Sequence, residues 1–186
     1  RINIAVCGIK GRGGSHMGSL GRIKDVSISH LVDPDSRLFE NRKKFISSKF
    51  KNTPDCIQDV RKAIENKDVD VITVATPNHW HSLISIWACQ AGKDVYVEKP
   101  DGHNMLEGQR MVQAGTKYNR IIQMGTQSRT SSHFQKAMQW ISRGELGTVL
   151  VAKAWESAKQ SNLGGNQRLL IFILKTIEID PDIKES

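Results

Sequence analysis

Short runs of Val- and Ile-rich residues alternate along this chain with segments of helical periodicity, and that alternation limits the possible fold more than any other feature. Six runs read as strands: Ile2 to Cys7, Val26 to Val32, a weak extension over Asn52 to Pro54, Val69 to Ala75, Val95 to Val97, and Ile121 to Met124. Between them Met17, Leu20 and Ile23 mark one helix, Val60, Ala63 and Ile64 another, and Leu83, Ile84, Trp87, Ala88 and Ala91 a stronger one. Gly92 stands where a helix terminator belongs, and Asn104 with Glu107 reads as an N-cap and its capping-box partner. Strict alternation of this kind predicts an α/β fold, a doubly wound parallel sheet with helices on both faces.

Near Ser131 the rhythm changes. A helix carrying Phe134, Ala137, Met138 and Ile141 ends at Gly144, and Val149 to Trp155 reads as a further strand. The predicted organisation is a nucleotide-binding domain over 1–127, the start of a second α/β domain over 128–155, and an atypical tail over 156–186. Too few residues follow Trp155 to build and cover a large sheet. The strand is therefore expected to lack neighbours, and the uncharged run Leu169 to Leu174 to promote association.

At 186 residues, 38% of them hydrophobic and 25% charged, the chain has the make-up of a folded globular protein with room for one full α/β domain. The formal charge of +8 raises the possibility of a nucleic-acid binder. However, the densest basic stretch, Arg37 to Lys51, also carries Leu38, Phe39, Phe45, Ile46 and Phe50 at helical spacing, so it reads as an amphipathic helix with a solvated face. No nucleic-acid partner is expected. Cys7, Cys56 and Cys89 are too few and too scattered for a disulfide framework or zinc site, and read as free thiols of a reducing compartment. No run approaches the length of a membrane span. A cytoplasmic location is expected, with a removed export leader left open because the sequence starts at Arg1.

The first strand runs into Gly8-Ile9-Lys10-Gly11-Arg12-Gly13-Gly14, and a helical pattern follows at once. Glycines in such a turn let the backbone approach a pyrophosphate whose charge rests on the helix N-terminus, the arrangement of a Rossmann dinucleotide site. The usual G-x-G-x-x-G would put its second glycine at Lys10, so Gly11 must serve instead, and a plain turn is the alternative. Asp33 follows Gly8 by 25 residues, near the roughly 20-residue offset of a carboxylate that binds the adenosine ribose. A carboxylate there favours NAD over NADP, whereas Arg37 and Arg12 nearby keep NADP open.

Two more segments sit at carboxyl ends of predicted strands, where α/β sheets bind ligands. In Thr76-Pro77-Asn78-His79-Trp80-His81 the proline stops the strand; the alternative reading makes Asn78 or Ser82 a helix cap and His81 a packing residue. In Glu98-Lys99-Pro100 a lysine placed beside a cationic nicotinamide could exchange a proton with a substrate hydroxyl; the alternative is a surface Glu-Lys pair before a turn.

The ordered set of Gly8 to Gly13, Val32-Asp33-Pro34-Asp35, Ala75 to His81, Glu98-Lys99-Pro100, Gly125 to Arg129 and Gly144 to Gly147 resembles the Gfo/Idh/MocA oxidoreductases from Arg1 to about Trp155. The resemblance implies a Rossmann domain followed by an α/β domain that carries the substrate site and often the oligomer interface. The implied substrates are sugars, inositols and related polyols, and some members use NAD to hydrolyse glycosides. By the same resemblance Lys99 is the proton-relay residue, while Asn78, His79, Trp80, His81, Glu98 and Gln127 line the cofactor pocket. Gly8, Gly11, Arg12, Gly13, Asp33, Thr76 and Pro77 complete the expected cofactor set, with no metal site. The family's second-domain aspartate and histidine have no counterpart in Glu156 to Ser186. An NAD-dependent oxidoreductase, homo-oligomeric in a full-length form, is the leading expectation. A non-catalytic dinucleotide-binding module, or a fragment of an NAD-assisted glycoside hydrolase, is the alternative.

Overall fold

The computed structural model describes residues 1–149, 151–156 and 173–178. It divides into two compact units, Arg1–Gln127 and Ser128–Ser186.

The first unit is built on six parallel strands: β1 (Ile2–Cys7), β2 (Val26–Val32), β3 (Asp55–Ile57), β4 (Val71–Val74), β5 (Asp94–Glu98) and β6 (Ile122–Gly125), in the order β3-β2-β1-β4-β5-β6. Its helices are α1 (Arg12–Leu20), α2 (Phe39–Phe50), α3 (Val60–Glu65), α4 (His81–Gln90) and α5 (Met105–Tyr118). This is the predicted doubly wound sheet. Its central strand β1 is buried on both faces, with successive side chains entering opposite layers. Ile4 and Val6 join Met17, Ile28, Leu31 and Ile46 in one core, whereas Ala5 and Cys7 join Ile72, Val74, Ile84 and Val97 in the other. That two-sided burial is why these strands read as unbroken apolar runs.

The third strand lies at Asp55–Ile57 and not at Asn52 to Pro54 as predicted. Pro54 has no N–H to give a ladder, and Asn52 meets β2 through its side chain instead, Nδ2 donating to the Ser27 hydroxyl and the Ile28 carbonyl. Helix ends follow the predicted punctuation. Gly92, just past α4, has φ +75°, and the Asn104 side chain accepts from the Glu107 amide at 3.0 Å. Glu107 reaches back to the His103 amide (2.7 Å), one residue earlier than the standard capping box.

In the second unit, α6 (Ser132–Ser142) is followed by β7 (Val151–Glu156) and β8 (Ile173–Glu178), an antiparallel pair with Val151 opposite Glu178 and Glu156 opposite Ile173. The strand expected to stand alone therefore has a neighbour, supplied by part of the tail. The stretch Leu169 to Phe172 lies outside the described residues. Among the described residues no helix is long and apolar enough to cross a membrane, and all three cysteines are free thiols.

Candidate active site

Strand order reverses between β1 and β4, and α/β sheets bind ligands in the crevice outside such a switch point. Here β1 turns into its loop at Gly8, whose φ of +82° falls in the region that favours glycine. A Cβ at Gly8 would lie 2.5 Å from the Ala75 carbonyl oxygen, and one at Gly13 would lie 1.8 Å from the Gly8 carbonyl oxygen. Glycine at these two positions lets β1, the end of β4 and the first turn of α1 close on one another. The loop is held from outside as well, since the Arg42 guanidinium on α2 donates to the Lys10 carbonyl. A Cβ on Gly11, the N-cap of α1, would meet nothing within 4 Å. No side chain caps the first turn of α1, and the space beside Gly11 is open.

Asp33 ends β2 beside this loop. It is buried, and its two carboxylate oxygens accept from the Ile9 amide (3.0 Å) and the Asp35 amide (3.0 Å). The carboxylate is thereby oriented while each oxygen keeps a further acceptor site. It borders a cleft of about 680 Å³ that Gly8, Thr76 and Pro77 also line, with Ile84, Trp80 and Trp87 as its apolar wall. Gln58, Val60 and the Asp59–Arg61 ion pair (2.6 Å) form the opposite rim. Burial, followed by the nearby Asp33 carboxylate, pushes the Cys7 thiol on this wall up to about 12, so it stays protonated and acts as apolar lining.

A second, smaller cleft of about 290 Å³ opens at the ends of β4 and β5, lined by Arg12, Thr76, Asn78, Glu98, Lys99 and Gln127 among others. Glu98 is its hub. Its Oε1 accepts from Arg12 Nε (2.8 Å) and lies 2.9 Å from His16 Nε2. Burial works to raise the Glu98 carboxyl, but the hydrogen bonds from Arg12 and His16 together with their charge outweigh it and hold the group below the ordinary carboxylate range. The Gln127 amide, with its nitrogen on the Gly125 carbonyl (3.0 Å), accepts from Arg12 Nη2 (2.8 Å). Lys99 follows Glu98 directly and is exposed, and the Lys99–Pro100 bond is cis.

The structure thus gathers Gly8, Asp33, Pro77 and Trp80 at one cleft and Arg12, Asn78, His81, Glu98, Lys99 and Gln127 at the other, with Thr76 on both. Gly11 and Gly13 shape the loop between them. His79 is exposed and borders neither cleft. His81 lines the polar cleft and is packed as well: it is 1% exposed, with Nδ1 2.6 Å from the Pro100 carbonyl and Nε2 2.9 Å from the Thr76 carbonyl. Glu98 is no surface partner of Lys99, because its carboxylate is turned inward to Arg12 and His16. Neither Asn78 nor Ser82 caps the helix through its side chain. His16, Gln58, Arg61 and Trp87 escaped the sequence reading. They belong to no motif, and only the sheet topology brings them to the site.

Residues 2–126 match the profile of the oxidoreductase family with an NAD-binding Rossmann fold, Gfo/Idh/MocA. The chain is 27% identical over 147 residues to myo-inositol 2-dehydrogenase of Thermotoga maritima, covering 78% of this chain and 42% of that protein. It is 33% identical over 92 residues to levoglucosan dehydrogenase of Pseudarthrobacter phenanthrenivorans, covering 50% of this chain and 24% of the relative. Among solved structures, a probable dehydrogenase from Thermotoga maritima superposes with a TM-score of 0.70 at 25% identity, over 78% of this chain and 42% of that one. Scyllo-inositol dehydrogenase from Lactobacillus casei with bound NAD(H) and scyllo-inositol shares the fold, with a TM-score of 0.72 at 18% identity over 84% and 45% of the two chains. The chain spans less than half the length of each.

Proposed function

The chain belongs to the Gfo/Idh/MocA oxidoreductase family, and from that premise we propose that it binds NAD across the two clefts and serves the oxidation or reduction of a cyclic polyol or sugar, with Lys99 relaying the hydroxyl proton. The observation that carries this reading is the placement of Lys99, exposed beside the polar cleft and directly after the buried Glu98, on the sheet edge that also bears Asp33. The inositol and levoglucosan dehydrogenases among its relatives support the substrate class.

The residues fit a dinucleotide. The Gly8–Gly13 loop leaves no room for a Cβ at either end and an open face at Gly11, as a pyrophosphate resting on a helix N-terminus requires. The larger cleft pairs one oriented carboxylate with an apolar, aromatic wall, which suits a ribose and its base. NAD is favoured over NADP because Asp33 would repel a 2′-phosphate, and the arginines on this side are engaged elsewhere: Arg61, which lines the cleft, is held by Asp59 at 2.6 Å, and Arg37 by Asp35 at 2.7 and 2.8 Å.

Bound NAD supplies a nicotinamide carbon that takes up or gives back a hydride. The chain's own residues do the rest. Asp33 and the loop hold the adenosine end, Arg12 and Gln127 shape the floor of the polar cleft, and the Lys99 amine exchanges a proton with the substrate hydroxyl as the carbon changes oxidation state. In this reading residues 128–155 begin the substrate-bearing domain. The test is to mix the chain with NAD and a panel of inositols, hexoses and anhydrosugars and follow NADH absorbance. Substrate-dependent NADH formation that Lys99→Ala abolishes is expected. NADH binding with no turnover on any substrate would leave a dinucleotide-binding module in place of an enzyme.

A further inference from the structure

Lys99 lies between two residues whose positions are fixed from different sides. Glu98 before it is locked in the β5 ladder opposite Gly125, and its carboxylate is tied to α1. After it, Pro100 has no N–H, so its carbonyl is the only backbone group by which that residue can be held. That carbonyl is taken by His81 Nδ1 at 2.6 Å, while Nε2 of the same ring lies 2.9 Å from the Thr76 carbonyl at the end of β4. The next residue of α4 adds a weaker tie, from Ser82 Oγ to the Asp101 carbonyl at 3.1 Å. His81 is 1% exposed, so its ring is fixed by packing even though it borders the polar cleft.

We propose that His81 is a positioning residue for Lys99: its ring, carried on the first residue of α4, is a strut that holds the Lys99–Pro100 turn through Nδ1 and so sets where the lysine amine stands in the polar cleft. A carbonyl only accepts, so a ring with a hydrogen on each nitrogen satisfies both contacts, and either neutral tautomer satisfies one of them. The contact that matters for Lys99 is the one from Nδ1, because it alone reaches the turn. The charged groups nearest the strut are Arg12, Glu98 and Lys99 in the same cleft, with Asp101 and Glu107 beyond the turn. The strut rests on the reading of Lys99 as proton relay, but its test does not involve turnover, so the two can fail separately.

An asparagine amide nitrogen falls close to the histidine Nδ1 position and a glutamine amide nitrogen close to Nε2. The experiment is lysine-selective 13Cε NMR of the whole chain, with the Lys99 signal assigned through Lys99→Arg. In the strut model, His81→Gln and His81→Phe displace the Lys99 signal, whereas His81→Asn, which keeps a donor for Pro100, leaves it in place even though all three variants melt earlier. Displacement by His81→Asn as large as by His81→Phe, or no displacement by any of them, overturns the proposal. Histidine-selective 15N NMR of the unsubstituted chain reads the same contact with no folding risk. A protonated Nδ1 on His81 is expected, and a bare Nδ1 overturns the strut.

Discussion

The cleft beside Asp33 and the cleft beside Lys99 open on one edge of the same sheet, yet their walls have little in common. The first encloses about 680 Å³, with Ile84, Trp80, Trp87 and Val60 around the buried Asp33 carboxylate and the Asp59–Arg61 pair at its rim. The second encloses about 290 Å³ and is floored by a buried carboxylate, a guanidinium and an amide bonded in series. A large apolar wall with one fixed acceptor holds a ligand through area and checks it at one point. A small polar cleft with a wired floor buries little area, and its value lies in fixing directions. The contrast assigns affinity to the Asp33 side and orientation to the Lys99 side, with the glycine loop as their common hinge.

Substitutions that strike the hinge should therefore damage both clefts, and those that strike one side should separate them. The largest effect is expected from Gly13→Ala, whose Cβ would stand 1.8 Å from the Gly8 carbonyl oxygen, a backbone atom with no freedom to move aside. Urea unfolding should show a loss of about 3 kcal/mol or more, above the common range for overpacking, together with loss of NADH binding. Unchanged stability would mean that the loop relaxes in a way this geometry does not allow.

Glu98→Gln comes next. It removes the charge on the acceptor that Arg12 and His16 share, and about 2 kcal/mol of stability should go with it, at the low end for charged hydrogen bonds because Arg12 is partly exposed. The folded-state pKa of Glu98 is depressed, so its contribution is present above the ordinary carboxylate range and drains away as pH falls through the lowered folded value. Melting temperature followed from neutral pH into acid should fall less steeply in Glu98→Gln than in the unsubstituted chain. Parallel curves would show that the carboxylate is not the hub of that cleft.

The smallest effect is expected from Lys99→Ala. Its side chain is exposed and belongs to the orienting cleft, so NADH affinity should stay within about threefold and melting should not change. Fluorescence titration of NADH reads this directly. Binding lost in step with turnover would make Lys99 part of the affinity side.

On the affinity side the glycine loop and Asp33 were legible in the sequence, whereas Gln58, Arg61 and Trp87 were not, and the reason is physical. The residues that shape its entrance come from a short stretch of chain: a strand run that ends in glycine, and an aspartate that ends the next strand. β1 and β2 could be placed because burial on both faces leaves unbroken apolar runs. Asp55–Ile57 could not, because an edge strand of three residues with one fully apolar side chain carries no run to see. On the orienting side, Glu98 was identified but its partner His16 was not, since the two are 82 residues apart and only the packing of α1 on the β5 end joins them. His81 shows the same limit from the other direction. The motif places this histidine at the cleft, but only the structure shows that its ring nitrogens face the Pro100 and Thr76 carbonyls.

Calorimetric titration of NADH and of NADPH into the chain and into Asp33→Asn tests the division of labour most directly. If the Asp33 carboxylate is where the larger cleft checks its ligand, NADH binds more tightly than NADPH. The substitution then weakens NADH by about 1 to 3 kcal/mol, the scale of a charge-assisted hydrogen bond, while NADPH, relieved of repulsion, loses less. Equal affinity for the two cofactors in the unsubstituted chain, with equal losses in the variant, would contradict the ribose contact and the assignment of affinity to that side.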